Sequence, residues 1–413
     1  DDRAALLDEA EAAIAGQVYP AYQTFIEYYD DLLPRTTGNH GVWALPDGQA
    51  YYAWAARMHT STDMTPAQIH QLGLDEVARI EAEMDAILAA EGLVEGSIGA
   101  RVQQVATRAD QLYPDTDAGR AAIIADFTRI IEEVDAGIGE YFNVRPKMGV
   151  KVERVPEFRE KTAPGAYYNP PAFDGSRPGI FYINLRNTAE VAKFGMRTLA
   201  YHEAIPGHHF QTTIQQELTG VPTFRKILPF TAFSEGWALY TERLAWEIGF
   251  QDQPLDNLGR LQAEMFRAVR LVVDTGMHDK RWTREQAIAY MLDKTGMPET
   301  DVVAEIERYL VMPGQALAYK VGMNRILAMR EKARSKTALD EACALIGADG
   351  SARVAGFPAD LADIEAHIDK IVQEALEFAR NSPEPDPSTV RRHVYASPIN
   401  PPEALVARPA GET

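Results

Sequence analysis

Three of the nine histidines in this 413-residue chain fall within eight residues, in Tyr201-His202-Glu203-Ala204-Ile205-Pro206-Gly207-His208-His209-Phe210-Gln211. His202-Glu203 opens like the pattern H-E-x-x-H, in which histidines at i and i+4 share a helix face and bind zinc, and the adjacent glutamate is a general base. Position i+4 is Pro206, which cannot ligate a metal. On an uninterrupted helix at about 100° per residue, His208 points roughly 120° away from His202. His209 realigns to within about 20° but sits about 10.5 Å further along the axis. Neither can share an ion with His202 at a bond length of about 2.0–2.1 Å. Proline removes a helical hydrogen bond, however, and glycine tolerates unusual dihedrals. If Pro206 and Gly207 bulge out, His208 takes the place of i+4.

A tetrahedral catalytic zinc needs a third protein ligand and keeps its fourth position for water. The candidate segment is Phe233-Ser-Glu-Gly-Trp-Ala-Leu-Tyr-Thr-Glu242, where Glu235 and Glu242 stand two helical turns apart on an otherwise apolar face. A carboxylate there is costly unless paired or metal-bound. Glu235 is expected to be the third ligand. Glu242 and His209 are expected to stand behind the ligands, with Glu242 orienting a ligand histidine. Glu203 is the expected base. The sole thiol, Cys343, lies elsewhere, so the donors are nitrogen and oxygen, and two histidines with a glutamate favour one zinc ion over iron or manganese.

These groups must be held by the elements around them. Residues 5–34 carry helical periodicity with Pro20 interrupting. Thr65-Pro66-Ala67-Gln68 predicts a capped helix start, with the helix running to about residue 92, and 118–135 predicts another. Val150–Val155 and Ile180–Leu185 are short, rich in β-branched and aromatic residues and bounded by Pro and Gly, which predicts strands with a turn-rich stretch between them. Helices are expected again at 189–218, 230–249, 254–275, 283–294, 299–310 and 314–334. Thr283 with Gln286 caps one of them, and Pro313 opens the last. Residues 360–380 read as an amphipathic helix and 382–413 as a Pro-rich extended tail. The fold class is thus mainly α with a small β-sheet. The chain divides into a helical region 1–140, a metal-binding region 141–335 with short sheet and active-site helices, and an atypical tail 336–413.

Composition narrows the function. A formal net charge of −19 argues against a general nucleic-acid binder. No apolar run approaches the roughly 20 residues of a membrane span. The acidic excess sits in residues 1–140 and in the tail, whereas 141–335 is mildly basic, which suits an anionic substrate end. The chain begins at Asp1 with no leader pattern, so it reads as a processed chain or a fragment. The compartment stays open between cytoplasm and periplasm, and the oligomeric state is equally open.

The His202–His209 segment, Ser234–Glu242, Asp274-Thr-Gly-Met-His278 and Pro313-Gly-Gln-Ala-Leu-Ala-Tyr-Lys320 together resemble the bacterial domain-of-unknown-function family 885. The turn Tyr168-Asn-Pro-Pro171 and the strand Tyr182-Ile-Asn184-Leu fit it as well. The resemblance covers about residues 15–335. It implies a zincin-like metallopeptidase architecture of the gluzincin type, mostly helical with a small sheet. It further implies that Tyr319 and His278 could donate to a tetrahedral oxyanion. Tyr168 and Asn184 join as substrate-binding candidates, and Arg267, Arg270 and Lys320 as candidates for a substrate carboxylate. The Ile180–Leu185 strand could offer its edge to an extended peptide. The tail, from Ile368–Ala379 through Ser382–Asp386 to His393–Ser397, instead resembles the C-terminal end of the alpha subunit of thiamine-diphosphate 2-oxoacid dehydrogenases, over about 60 residues. No activity follows from that.

The expected function is zinc-dependent hydrolysis of a peptide or small amide substrate, carboxypeptidase- or oligopeptidase-like. The alternative is a non-catalytic module in which the metal is structural and Glu203 only a neighbour. A glycoside hydrolase with paired carboxylates would leave the histidines unexplained.

Overall fold

The computed structural model describes residues 2–228 and 230–334. In chain order, α1 (Asp2–Ala13) and α2 (Tyr19–Leu32) are followed by α3 (Gly48–Thr60), α4 (Pro66–Ala90), α5 (Ile98–Ala106) and α6 (Asp117–Gly137). Three strands come next: β1 (Val150–Arg154), β2 (Ala166–Asn169) and β3 (Gly179–Ile183). Then come α7 (Lys193–Glu203), α8 (His208–Glu217), α9 (Thr223–Ile227), α10 (Thr231–Glu247), α11 (Pro254–His278), α12 (Arg284–Thr295), α13 (Glu299–Val311) and α14 (Ala318–Arg334). The mainly helical class with a small sheet holds, and residues 1–330 form one compact unit. The expected tail helix, the Pro-rich end and the dehydrogenase-like segment lie outside the described residues.

Both capping boxes form: Thr65 with Gln68 at the start of α4, and Thr283 with Gln286 at the start of α12. α4 packs along α11, and their apolar faces meet through Val77, Ile80 and Met84 on one side and Met265, Val269 and Val272 on the other. α11 is the central strut, buried along most of its 25 residues. A second core joins α6 to the sheet and to α7, with Phe127 packed edge-on against Phe181 at 5.3 Å.

Several expectations are corrected. Pro20 does not interrupt the first helical stretch: a π-helical segment, Ile14–Val18, links α1 to α2, and Pro20 sits in the first turn of α2, where its missing N–H costs little. The turn-rich stretch after Pro164 contains a strand, β2, which pairs antiparallel with β3 while β1 pairs parallel with it. The order is β1-β3-β2, so the 180–185 strand is central and has no free edge; β2 is an edge strand on the cavity side. Its Tyr167 stacks on Tyr182 of β3, the cross-strand pair that sequence periodicity over four residues cannot reveal. The expected helix 189–218 is three pieces: a 3₁₀ turn at Thr188–Glu190, then α7 and α8. Pro313 precedes a 3₁₀ turn, Gln315–Leu317, and α14 starts only at Ala318.

Candidate metal centre

α7 ends at Glu203 and α8 begins at His208. Between them the chain leaves helical geometry through Ala204–Gly207, which includes a cis Ile205–Pro206 bond. Phe210 N–H donates to the Ala204 carbonyl, six residues back where an uninterrupted helix has four. Two residues have therefore been extruded, the number by which His208 overshoots i+4. The loop is tied down from α10, where Trp237 Nε1 donates to the Pro206 carbonyl at 2.9 Å. Gly207 is required by close packing, since a Cβ there would lie 2.0 Å from the His202 carbonyl oxygen and 2.3 Å from that of Tyr201.

The extrusion brings the His202 and His208 rings to 4.8 Å, nearly perpendicular. Glu235 reaches them from α10, with Oε2 at 3.2 Å from His208 Nε2 and 4.0 Å from His202 Nε2. Ligand atoms of the three residues all lie within 4.8 Å of one another, the one such group among the described residues. Glu235 Oε2 is buried and, despite its closeness to His208, has no hydrogen bond of acceptable geometry. Zinc–nitrogen and zinc–oxygen bonds of about 2.0–2.2 Å in a tetrahedron separate neighbouring donors by about 3.3 Å. An orphaned carboxylate oxygen with two imidazoles at that scale fits a zinc ion, with His202, His208 and Glu235 as the residues that would hold it.

Behind His202, Glu242 Oε1 lies 2.6 Å from Nδ1, and both side chains are almost wholly enclosed. That leaves Nε2 of His202 on the Glu235 side. Burial, reinforced by Arg267, His208 and Arg270, holds His202 well below the ordinary histidine range, so the ring is in its neutral, ligating form. Burial works against charge on His208 as well, but Glu235 outweighs it and raises that histidine. Burial likewise pushes Glu235 up, and His208 outweighs it, leaving the carboxylate net lowered. Glu242, enclosed with no cation in direct contact, is pushed up to about 8 by burial.

Glu203 follows His202 directly at the end of α7 and lines the same cavity, about 1310 Å³ in volume. Burial raises its carboxyl above the ordinary range, with Glu235 adding to the rise and His208 opposing it. Tyr319 stacks on His202 with ring centres 6.5 Å apart and planes 14° apart. It is brought there because α10 and α14 touch backbone to backbone: a Cβ on Gly236 would meet the Gly322 backbone at 2.5 Å. Those two glycines, with Trp237, position the site without contributing chemistry, and only their occurrence inside helical segments hinted at it.

Other expected site residues have different placements. His278 is the last residue of α11, fully buried and away from the cavity; it accepts from Val42 N–H at Nδ1, and its Nε2 faces the Tyr309 carbonyl. Its ring is spent locking loop to helix, so it cannot reach a substrate oxyanion. Lys320 lies beneath the cavity, 1% exposed, paired to Glu264 at 2.6 Å and Glu76 at 3.2 Å. It is neutralised and inaccessible, so it cannot bind a substrate carboxylate. His209 does not stand behind a ligand; it sits between the Met148 carbonyl and the Tyr168 hydroxyl, tying α8 to the sheet. Asn184 lines the cavity, but its amide donates to the carbonyls of Glu160, Ala163 and Pro164 and its oxygen accepts from Arg186 N–H, which leaves it a loop-holding role. Tyr168 and Arg270 both line the cavity. Arg270 pairs with Glu305 at 2.9 Å and lies over the Tyr319 ring at 4.5 Å.

A family model for "Bacterial protein of unknown function (DUF885)" matches residues 1–345. The chain belongs to this family. Two solved structures, each of a "putative lipoprotein", are similar to it. That from Colwellia psychrerythraea is 46% identical with a TM-score of 0.79, over 85% of this chain and 61% of its own. That from Shewanella oneidensis is 19% identical with a TM-score of 0.63, over 84% of this chain and 63% of its own, a likeness of fold. This DUF885 chain therefore spans less than two thirds of either relative. No curated protein matches it. Among its described residues no helix is long and apolar enough to cross a membrane.

Proposed function

We propose that this DUF885 protein is a zinc-dependent hydrolase of peptide or related amide bonds, with a zincin-like, gluzincin-type site. The observation that carries the reading is the convergence of His202, His208 and Glu235 on one point, with the Glu203 carboxylate next in the chain to the first of them. When bound, zinc supplies a Lewis acid and brings the pKa of a water toward 7. Glu203 is the residue that would accept a proton at a carboxylate oxygen and return it to the leaving amine; its raised pKa matches a base that must also act as an acid. The Tyr319 hydroxyl, kept protonated by burial, is the donor available to the carbonyl oxygen as charge develops there. Glu242 keeps the proton on His202 Nδ1, and Trp237 and Gly207 keep His208 in position.

The competing reading, a structural metal in an interaction module, needs a fourth protein ligand. Among the described residues none is available: Glu242 is on the far nitrogen of His202, and His209 is held by Tyr168 and Met148. The test is Glu203→Gln assayed on a peptide mixture with zinc supplied. Retained zinc and a loss of turnover of about 10² or more is expected; turnover equal to wild type would sink the reading.

A further inference from the structure

His208 opens α8 and Glu235 lies in the first half of α10, and the chain between these helices runs through the short α9. No residue of α9 is buried. The connection is nevertheless apolar. Leu218, Phe224, Ile227, Leu228, Phe230 and Phe233 fall within sixteen residues and are 45–66% exposed. Six half-exposed side chains of this size present on the order of 500 Å² of apolar surface, as much as the largest patch on an ordinary monomer. Apolar surface on that scale marks a binding site.

Two contacts fix the connection in place. The Gln215 side-chain amide of α8 donates to the Arg225 carbonyl at 2.6 Å. At the other end the Phe233 ring leans on Trp237, with centres 6.5 Å apart, and Trp237 is the residue that holds the extruded Pro206 loop. The apolar patch and the metal-type donors are thus built on the same two helices.

Its position specifies the guest. Lys226 and Ile227 line the cavity that also holds His202, His208 and Glu235, and so do Gln215 and Ser234 at the two ends of the connection. The patch is the outward continuation of the cavity rim. A bilayer or a second folded chain could cover the outer side chains but could not follow the rim inward. An extended peptide can, with alternate side chains turned to the rim. The cavity, at about 1310 Å³, also exceeds the roughly 300–1,000 Å³ of a small-molecule pocket, which gives room for several residues of a chain.

We propose that the α8–α10 connection is an apolar subsite of this cavity, and that its guests are oligopeptides carrying large apolar side chains beside the enclosed residues. Reading the guest as a substrate rests on the hydrolase proposal above; the binding itself does not.

The experiment separates the two. Acetyl-Ala-Ala-Phe-Leu-Ala-Ala amide and its Ser-Ser counterpart, both uncharged, are titrated calorimetrically into metal-free protein. The Phe-Leu peptide is expected to bind at least about tenfold tighter, the scale set by partly burying two large side chains. Phe224→Ser combined with Leu228→Ser is expected to erase that preference. Both side chains are exposed, so the fold should stand, and denaturant unfolding verifies it. Phe230→Ser alone is expected to weaken the preference. Tyr29→Ser, at an equally exposed residue of α2 outside the cavity lining, is expected to leave it intact. Equal affinity of wild type for the two peptides overturns the subsite, as does a preference unchanged in the double variant or lost in Tyr29→Ser. Equal affinity together with patch-dependent sedimentation on phosphatidylcholine–phosphatidylglycerol vesicles reassigns the patch to a membrane, and together with patch-dependent self-association reassigns it to a second copy. A Phe-Leu preference without zinc-dependent cleavage of any peptide would leave the subsite standing and remove the hydrolase reading.

Discussion

His202 Nδ1 and Glu242 Oε1 are 2.6 Å apart, with 4% and 1% of their side chains exposed. Nε2 faces Glu235, so an ion held at Nε2 would put the ring proton on Nδ1, where it would be donated to the Glu242 carboxylate. The pair fixes the ring orientation before any ion arrives. Partners of this kind are commonly worth 10- to 100-fold in metal affinity. Glu242→Gln, nearly isosteric, is therefore expected to weaken zinc binding by about that factor with little change of fold. Competition with a chromophoric chelator measures it; an unchanged Kd would show that the pair serves packing alone.

Gly207→Ala tests the extruded loop. The added Cβ meets two backbone carbonyls of α7, which cannot swing aside as a side chain can. A destabilisation of about 1–3 kcal/mol is expected, with weaker zinc binding because His208 follows directly. Denaturant unfolding and zinc titration of the same variant check both; wild-type values in each would mean the loop has slack.

The sequence announces part of this centre and hides the rest. Pro206 and Gly207 carry their own physical signature, so the return of His208 is readable before any coordinates. Glu235 and Glu242 are readable because carboxylates on an apolar helix face need a reason. What cannot be read is where a polar group spends its hydrogen bonds. His278 and Lys320 have the residue types and family context of catalytic groups, yet one is locked by Val42 and Tyr309 and the other by Glu264 and Glu76, partners up to 244 residues away. In the fold, capping boxes and long periodic helices are local and legible. The four-residue β2 is defined by its neighbour β3 and is not.

Acid should destabilise the metal-free protein in a defined window. Burial pushes Glu264 up, but Lys320, Arg79 and Arg260 outweigh it and bring it down to about 2. A carboxylate with a depressed folded-state pKa contributes stability that is complete above its unfolded value, near 4.5, and is lost as pH falls toward 2. The contribution at neutral pH is on the order of 3 kcal/mol. Unfolding free energies measured between pH 6 and pH 3 should fall steeply, and Glu264→Gln should flatten that slope. Glu305, also lowered to about 2, keeps it from vanishing. An identical slope in the variant would contradict the assignment.

Lys320→Met addresses the same cluster from the cation side. It leaves Glu264, 2% exposed, with one cationic partner fewer in the interior. Breaking a buried pair this way costs about 3–5 kcal/mol. Thermal or denaturant unfolding should register that loss, and zinc affinity should stay near wild type because Lys320 does not reach the cavity. A selective loss of zinc binding or turnover with stability intact would instead return Lys320 to the site.

The central claim is that His208 replaces the missing i+4 histidine and, with His202 and Glu235, holds one metal ion. Elemental analysis of zinc-loaded, dialysed protein tests it directly, comparing wild type with His208→Ala. One equivalent of zinc in wild type and a loss of that equivalent in the variant is the predicted result. Zinc retained by folded His208→Ala, or absent from wild type, would contradict it.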